Sequence, residues 1–343
     1  MYASKTMKIK CFSTHDFEQA YLTKWATFHK LDVDFLEISL KPDLVQLAQG
    51  YDCIACWSSD DLGREVLEGL SAIGVKMISL RSAGFSHLDI DCARELGMTI
   101  TRVSSYSPQA IAEHTLGLLM CLNRKYLKAF QRVRDFNFTL DGLEGVTIHG
   151  KSVGIVGTGK IGEAFARIMK GMGCKLLLND KIENSDLAKE LGAEYVDLER
   201  LLKESDIISL HCPLNESTKY LINEKNIDFI KPSAFLLNTG RGGLIETKAL
   251  IAKLKKQEIK GVGLDVYEYE EDIFFKDHSD KGISDELLLR LMSFPNVLIT
   301  SHQAFFTKEA IDNIAKTSMQ NISDFVQKNE IEEKNILVVN NQG

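Results

Sequence analysis

The stretch VGIVGTGKIGEAF, residues 153–165, limits what this chain can fold into more than any other part of it. Gly157, Gly159 and Gly162 have the spacing GxGxxG between an apolar, strand-like run and a helix-like run. In such a turn the first glycine permits a tight bend, and the second lets the backbone approach a pyrophosphate. The third lets the helix lie close to the sheet. The pattern predicts a dinucleotide site at a helix N-terminus, where free N–H groups face the phosphates, and the alternative is a structural turn only.

An acidic residue supports the nucleotide interpretation. Asp180 closes the next predicted strand, KLLLND. Its carboxylate suits the two hydroxyls of an adenosine ribose and would repel a 2′-phosphate, and no arginine follows it. We therefore predict NAD as the cofactor rather than NADP, with a strand-end cap as the alternative role for Asp180.

Strand-like and helix-like runs alternate along the chain in two series, one before Tyr106 and one from Lys151 onward. Strands separated by helices form parallel sheets that are covered on both faces. The length of 343 residues suits two domains. We predict an α/β protein in which a flavodoxin-like substrate domain, residues 1–105 and 305–343, flanks a doubly wound, Rossmann-like NAD domain, residues 106–304. The cleft between the domains is expected to close on the substrate.

Three segments complete the predicted organisation. Residues 107–135 are expected to form one long helix, with Ser107 as its cap and Pro108 in its first turn. The amphipathic run 307–329 is expected to be a helix that folds back on the first domain. Residues 1–6 are interpreted as an extension before a start at Met7.

Composition and charge exclude several classes of partner. Hydrophobic residues make up 44% and charged residues 26%, and the net charge of −7 argues against nucleic acid. No apolar run approaches the roughly 20 residues that span a bilayer, and no signal-peptide core is present, so we expect a cytoplasmic protein without a membrane partner. The seven cysteines are scattered, and the pair Cys53 and Cys56 faces opposite sides of a predicted strand, so no metal is predicted.

Charged side chains follow three of the predicted strands in the second series. Arg241 ends AFLLNTGR, and His302 ends NVLITSH. In the run GVGLDVYEYEE the strand ends at Asp265, and Glu268, Glu270 and Glu271 lie just beyond it. In an open parallel sheet, ligands bind beyond the carboxyl ends of the strands, so these groups are expected at one rim beside the cofactor.

Such a set meets the needs of hydride transfer between NADH and a 2-oxo acid. The planar fork of an arginine can hold the substrate carboxylate and its carbonyl oxygen. A histidine can donate the proton as charge develops on that oxygen, and a carboxylate beside the histidine fixes its tautomer. Taken singly, Arg241 could be a surface charge, Glu270 part of a solvated acidic run, and His302 a polar loop residue.

The chain resembles the D-isomer-specific 2-hydroxyacid dehydrogenase family over nearly its whole length, from about Met7 to the last helix. The matching stretches are LRSAGFSHLDID, YSPQAIAEHTLGL, GIVGTGKIG, DIISLHCPL, LLNTGRGGLIE, GLDVYE and HQAFFT. HCPL, RVRDFNFTLDGLEG and HQAFFT point to the branch that acts on lactate.

The resemblance implies a catalytic set of Arg241 on the substrate, His302 as acid and base, and Glu270 as its partner. Glu270 is chosen because it stands five positions after Asp265, where the family carries its glutamate. The implied cofactor contacts, besides the glycines and Asp180, are Lys160, Ile161, Cys212, Pro213, Thr218, Thr239, Gly240 and Asp265. The substrate carboxylate is expected on the backbone N–H groups of Ala83 and Gly84, with Tyr106 closing over it.

Two departures from the family pattern bear on the substrate. Trp57 stands where lactate-type relatives often have tyrosine or phenylalanine, and Ser301 replaces a common proline or glycine. Trp57 and Phe305 are expected to fill space near the substrate side chain, which favours a methyl group by about 1–3 kcal/mol per methylene. The implied reaction is pyruvate, NADH and a proton to D-lactate and NAD.

Two alternatives remain open at the level of sequence. One is a related dehydrogenase acting on glyoxylate, glycerate, phenyllactate or hydroxyisocaproate. The other is an NAD-sensing binding protein on the same fold. The resemblance also implies a homo-oligomer, dimer or tetramer, formed through the cofactor domains and the helix after Tyr106.

Overall fold

The computed structural model describes residues 7–271 and 273–339. The chain divides into two compact units, the first comprising Met1–Ser107 with Phe306–Gly343 and the second Pro108–Phe305. The predicted N-terminal extension, residues 1–6, lies outside the described residues.

The strands and helices follow one another in the alternation that the sequence predicts. The strands are β1 (Lys8–Cys11), β2 (Asp32–Phe35), β3 (Cys53–Cys56), β4 (Met77–Leu80), β5 (Thr99–Thr101), β6 (Ser152–Val156), β7 (Lys175–Asn179), β8 (Glu194–Tyr195), β9 (Ile207–Leu210), β10 (Phe235–Asn238), β11 (Gly261–Leu264), β12 (Val297–Ile299) and β13 (Ile336–Val338). The α-helices are α1 (Asp16–His29), α2 (Arg64–Ala72), α3 (Ile90–Glu95), α4 (Pro108–Arg124), α5 (Tyr126–Arg134), α6 (Lys160–Gly171), α7 (Ser185–Leu191), α8 (Leu198–Glu204), α9 (Thr247–Lys255), α10 (Glu286–Met292) and α11 (Lys308–Gln327). Short 3₁₀ segments cover Pro42–Ala48, Ile227–Phe229, Gly242–Leu244 and Glu333–Asn335.

The first unit is built on one sheet in the order β2-β1-β3-β4-β5-β13, in which only β13 runs antiparallel to its neighbour. The order 2-1-3-4-5 is that of flavodoxin-like folds. Both β3 and β4 are buried at every position, which explains their continuous apolar sequences CIAC and MISL. Helices α1 and α11 close one face through a core that includes Ile9, Met77 and Met319.

The second unit is built on a parallel sheet in the order β8-β7-β6-β9-β10-β11-β12. The chain moves outward from β6 to β8 and then crosses back to β9 on the other side, so the direction of winding reverses between β6 and β9. This is the doubly wound Rossmann arrangement, in which ligands bind beyond the carboxyl ends of the strands at the reversal. The predicted fold class, two parallel α/β sheets with a Rossmann-type unit, is confirmed.

The prediction of one long helix over 107–135 is wrong, because the segment forms two helices. Lys125, between α4 and α5, has a left-handed backbone with φ of 51°. Helix α4 buries Ala112, Leu118 and Leu119 in the core of the second unit, whereas no residue of α5 is buried. Only the first half of the segment therefore packs in that core, and the helix is interrupted at Lys125, where this packing ends.

The sequence patterns also missed two short elements. Helix α7 is only seven residues long, with Asn184 accepting the N–H of Leu187 at its start. Strand β13 pairs with β5 at the edge of the first sheet. No helix in the described residues is long and apolar enough to cross a membrane.

Candidate active site

The glycine turn joins β6 to α6 with the geometry that a dinucleotide requires. Gly157 has a φ of +90°, and a Cβ there would lie 2.4 Å from the backbone nitrogen of Cys212. A Cβ on Gly162 would lie 1.9 Å from the carbonyl oxygen of Gly157. A Cβ on Gly159, by contrast, would meet no atom within 4 Å, and α6 begins at the next residue, Lys160. The turn is therefore closed on its protein side and open at the helix N-terminus, which fits a diphosphate.

Asp180 lies at the end of β7, hydrogen-bonded to the glycine turn. Its Oδ2 accepts the backbone N–H of Thr158 at 2.5 Å and the Thr158 hydroxyl at 3.0 Å, and its Oδ1 accepts the N–H of Ile182 at 3.1 Å. Burial pushes the pKa of Asp180 upward, but these hydrogen bonds outweigh burial and the pKa is lowered. The carboxylate is therefore ionised at neutral pH and suits a ribose diol.

Five of the other predicted cofactor residues occupy the loops after β9 and β10, whereas Lys160 and Ile161 begin α6 and Asp265 follows β11. Cys212 and Pro213 follow β9, and the Thr218 hydroxyl donates to the carbonyl of Pro213 at 2.6 Å. Thr239 and Gly240 follow β10. Burial raises the pKa of the Cys212 thiol to about 11, so this thiol is protonated at neutral pH.

Glu270 and His302 form a hydrogen-bonded pair. Nδ1 of His302 lies 2.6 Å from Oε1 of Glu270, and Oε2 of the same carboxylate accepts the backbone N–H of Tyr267 at 2.7 Å. The side chain of His302 is 27% exposed and that of Glu270 is 19% exposed, so the pair is largely shielded from water but remains accessible. The carboxylate of Glu268 instead accepts a hydrogen bond from the Tyr220 hydroxyl at 2.6 Å, so Glu270 is the glutamate that bonds the imidazole.

The backbone of His302 is left-handed, with φ of 54°, and Asp265 organises the loop around it. The carbonyl of Asp265 accepts the N–H of His302 at 2.7 Å. Its buried carboxylate accepts the N–H groups of Gln303 and Ala304, each at 2.9 Å, and the Thr300 hydroxyl at 2.6 Å. Asp265 thus holds the loop that carries His302 in place, a structural role that the sequence did not predict beside the cofactor contact.

His114 on α4 adds a further polar group to Asp265, with its Nε2 3.4 Å from Oδ1. Burial raises the pKa of Asp265, but hydrogen bonds from His114, Thr300 and Ala304 outweigh it and the pKa is lowered. His114 was not singled out from the sequence, because its helix contacts the strand ends only in the folded unit.

Arg241 is the first residue after Gly240 at the end of β10, whose neighbour β11 leads to Glu270. Its Nη1 donates to the carbonyl of Gly240 at 2.8 Å, and its own carbonyl accepts an N–H of the Asn238 amide at 2.9 Å. Arg241, Glu270 and His302 thus follow three adjacent strands, β10, β11 and β12, at one edge of the sheet.

The first unit places its predicted substrate residues at the carboxyl ends of β3 and β4. Trp57 directly follows β3 and is 5% exposed, with its ring edge-on to Phe17 at 6.3 Å. Ala83 and Gly84 follow β4, and the Ser82 hydroxyl donates to the carbonyl of Gly84 at 2.7 Å. The carbonyl of Tyr106 accepts an N–H of the Asn313 amide at 2.9 Å. Phe305 belongs to the second unit and is 7% exposed.

A buried ion pair lies under these loops and was not predicted. Arg81 is fully buried, and its guanidinium bonds both oxygens of Glu18 at 3.1 Å. It also donates to the carbonyls of Phe12, Ser13 and Ala55. The one signal in the sequence was a cation directly after the apolar run MISL.

A dinucleotide turn at the winding reversal of a Rossmann sheet, with a carboxylate-bound histidine at the same carboxyl edge of that sheet, defines an NAD-dependent oxidoreductase. Residues 116–304 match the family model of the D-isomer specific 2-hydroxyacid dehydrogenase, NAD binding domain. The chain belongs to this family.

Individual relatives match almost the whole chain. It is 45% identical to the D-lactate dehydrogenase of Escherichia coli K12 over 93% of this chain and 96% of that protein. It is 45% identical to 2-hydroxyacid dehydrogenase A of Aspergillus oryzae over 94% and 93%. The solved structure of the pyruvate reductase of Chlamydomonas reinhardtii superposes with a TM-score of 0.88 at 41% identity, over 96% of this chain and 98% of that one.

Proposed function

We propose that this chain is a D-lactate dehydrogenase, which reduces pyruvate to D-lactate with NADH and catalyses the reverse reaction. The observation that carries the proposal is the Glu270–His302 pair after β11 and β12, at the same carboxyl edge of the sheet as the dinucleotide turn after β6. The Escherichia coli relative is named a D-lactate dehydrogenase, and the Chlamydomonas reinhardtii structure is that of a pyruvate reductase. Reduction of pyruvate to D-lactate is the reverse of the reaction that a D-lactate dehydrogenase is named for, so both names support the proposal.

In the proposed reaction, bound NADH supplies a hydride to the carbonyl carbon of the 2-oxo acid. His302 donates a proton from Nε2 to the carbonyl oxygen, because its Nδ1 is engaged by Glu270 at 2.6 Å. Glu270 fixes the tautomer and stabilises the imidazolium, and its own orientation is held by the N–H of Tyr267. In the reverse direction His302 accepts the proton of the hydroxyl group.

Arg241 is the proposed partner of the substrate anion. Its guanidinium can engage a carboxylate and an adjacent carbonyl oxygen in one plane, which orients the carbonyl carbon for hydride transfer. The substrate contacts of Ala83, Gly84, Tyr106, Trp57 and Phe305 are part of the same proposal. The bulk of the tryptophan and phenylalanine favours the methyl group of pyruvate over a larger side chain.

The turn of Gly157, Gly159 and Gly162 and the carboxylate of Asp180 are the proposed main cofactor contacts. The closed and open sides of this turn support diphosphate binding, and the ionised Asp180 supports NAD over NADP. Smaller contacts are proposed for Lys160, Ile161, Cys212, Pro213, Thr218, Thr239, Gly240 and Asp265.

A panel of 2-oxo acids tests the proposed function. The purified protein is mixed with NADH and pyruvate, glyoxylate, hydroxypyruvate, phenylpyruvate or 4-methyl-2-oxopentanoate, and the loss of NADH absorbance is followed. We expect the highest kcat/KM with pyruvate and a product that only a D-specific lactate assay detects. A higher kcat/KM with another 2-oxo acid would replace the proposed substrate, and no turnover with any would leave a binding protein.

The surface of α5 and the segment after it supports the proposed homo-oligomer. Phe130, Phe136, Phe138 and Leu140 are 62%, 86%, 71% and 81% exposed. Several large apolar side chains exposed within eleven residues of sequence are costly in water, and this is typical of a surface covered by a partner. We propose a second copy of this chain as that partner, in a dimer or a tetramer, and Phe130→Asp with Phe138→Asp should lower the mass measured by light scattering.

The cytoplasm is the proposed location. All seven cysteines are free thiols, and five of them are buried. Free thiols in this number suit a reducing compartment.

A further inference from the structure

The acidic segment, residues 268–286 with the sequence EYEEDIFFKDHSDKGISDE, joins β11 to α10 and is folded against the proton-transfer pair. The backbone N–H groups of Ile273 and Phe274 donate to the carbonyl of Glu270 at 3.0 and 2.9 Å. At the other end of the segment, Asp285 accepts the Tyr267 hydroxyl at 2.8 Å. The segment is therefore held at one end by Glu270 itself and at the other by Tyr267, whose N–H donates to the Glu270 carboxylate.

Two successive phenylalanines in this segment have opposite environments. Phe274 is 8% exposed and packs in the main core of the second unit. Phe275 is 40% exposed, and its backbone is left-handed with φ of 63°. A bulky residue in this region is rare and strained, so surrounding contacts must hold it there. The buried side chain of Phe274 is one such anchor.

The strained backbone turns the ring of Phe275 onto the imidazole of His302. The ring centroids are 5.9 Å apart and the planes are inclined by 37°. His302 is itself left-handed, with φ of 54°, so two strained residues meet ring to ring. Glu270 holds the imidazole at Nδ1, and the tilted ring of Phe275 lies beside it as a second contact.

We propose that Phe275 is a positioning residue for the proton transfer at His302. The hydrogen bond to Glu270 fixes the position of Nδ1, but the imidazole plane can still tilt about that bond. An aromatic ring beside the imidazole limits that tilting, so Nε2 stays directed toward the substrate carbonyl oxygen. The inference rests on the proposed function and assigns a role to the acidic segment, which carries this ring on a turn anchored to Glu270 and the core.

Steady-state kinetics of Phe275→Ala, with Phe275→Tyr and Leu289→Ala beside it, tests the proposal. Leu289 is a matched control, because it lies on α10 and is 45% exposed. Phe275→Ala should lower kcat by about tenfold, in line with the sensitivity of transfer steps to geometry, while KM for pyruvate and the Kd for NADH stay within twofold. Phe275→Tyr retains the ring and should keep most of the activity, and Leu289→Ala should behave as wild type.

A second readout does not depend on activity. In protein labelled at its eight histidines, the ring protons of His302 feel the ring current of Phe275, and their resonances are assigned by loss in His302→Gln. Phe275→Ala should move these resonances, and Phe275→Tyr should leave them close to their original positions. Unchanged resonances would show that the two rings do not meet in solution and would overturn the proposal.

The kinetic outcomes separate this inference from the proposed function. Wild-type protein that reduces no 2-oxo acid overturns the function, whatever the variants do. Active wild-type protein with a Phe275→Ala variant within threefold of its kcat overturns the role of Phe275 alone. A Phe275→Tyr variant as impaired as Phe275→Ala overturns it as well, because the ring is then not what matters.

Discussion

The carboxylate of Glu270 joins two elements of the site: its Oε1 lies 2.6 Å from Nδ1 of His302, and its Oε2 accepts the N–H of Tyr267 at 2.7 Å. Both oxygens are thus engaged, and the carboxylate cannot turn without breaking a bond. Because Glu270 occupies Nδ1 of His302, only Nε2 is left to exchange a proton with the proposed substrate.

This geometry predicts unequal effects of substitution at the two residues. His302→Ala removes the proton donor and should lower kcat by about 10²–10⁴-fold, with NADH affinity within twofold of wild type. Glu270→Gln keeps the shape of the side chain but removes its charge, so kcat should fall less, by roughly tenfold or more. Stopped-flow turnover and NADH fluorescence titration measure both quantities.

Glu271→Gln is the matched control, because Glu271 is the exposed neighbour of Glu270 in the same segment. It should turn over at the wild-type rate. Near-normal turnover of His302→Ala would show that another group donates the proton.

The glycine turn predicts a contrast between two glycines of the same helix, α6. Gly162→Ala places a Cβ 1.9 Å from the carbonyl oxygen of Gly157, so the turn must open and the protein should lose about 3 kcal/mol of stability or its affinity for NADH. Gly171→Ala meets no atom within 4 Å and should be neutral or stabilising by up to about 1 kcal/mol. Urea unfolding and NADH titration compare the two, and equal effects would contradict the close packing of this turn.

Asp265 predicts a particular dependence of stability on pH. Because its pKa in the folded protein is lowered from the ordinary value of 3.8, the ionised side chain stabilises the fold above about pH 4. That contribution to stability is lost as the pH falls below 3.8 and through the lower pKa that Asp265 has in the folded protein. Asp265→Asn should be less stable at neutral pH, and its stability should fall less steeply in acid, as measured by urea unfolding at a series of pH values.

The same substitution should lower kcat, because the carboxylate accepts the N–H groups of Gln303 and Ala304 next to His302. Asp280→Asn, at an exposed position of the same unit, is the control and should change neither quantity. An acid limb of equal slope in Asp265→Asn and wild type would contradict the role of this carboxylate.

The ion pair of Arg81 and Glu18 predicts a large loss of stability. Both side chains are buried, so Arg81→Met leaves Glu18 as an uncompensated charge and should cost about 3–5 kcal/mol of unfolding free energy. The exposed pair of Lys24 and Asp312 is the matched comparison, and Lys24→Met should cost less than about 1 kcal/mol.

The double variant Arg81→Met with Glu18→Leu tests the reason for that loss. It should recover part of the stability, because no buried charge remains. Recovery should be incomplete, since the carbonyls of Phe12, Ser13 and Ala55 still lack the donors that Arg81 provides. A double variant no better than Arg81→Met would show that the unpaired charge is not the cause.

Much of the second unit could be predicted because its signals are local. The turn of Gly157 and Gly162 is set by backbone space within a few residues, and alternating strand and helix runs imply a parallel sheet. Family resemblance supplied Glu270 among several acidic neighbours. The single helix over 107–135 was also expected from a local signal, because the helical periodicity of the sequence continues through Lys125. The interruption between α4 and α5 coincides with the end of tertiary packing, which this periodicity does not reveal.

The sequence by itself thus determined the two parallel α/β sheets, the nucleotide turn and which strand ends carry charged side chains. Tertiary structure decided which groups meet: Glu270 with His302, Asp265 with the loop after β12, Phe275 with the imidazole, and Arg81 with Glu18. The physical reason is distance along the chain. Backbone propensities act over a few residues, whereas these contacts join positions far apart in sequence that only the folding of each unit brings together.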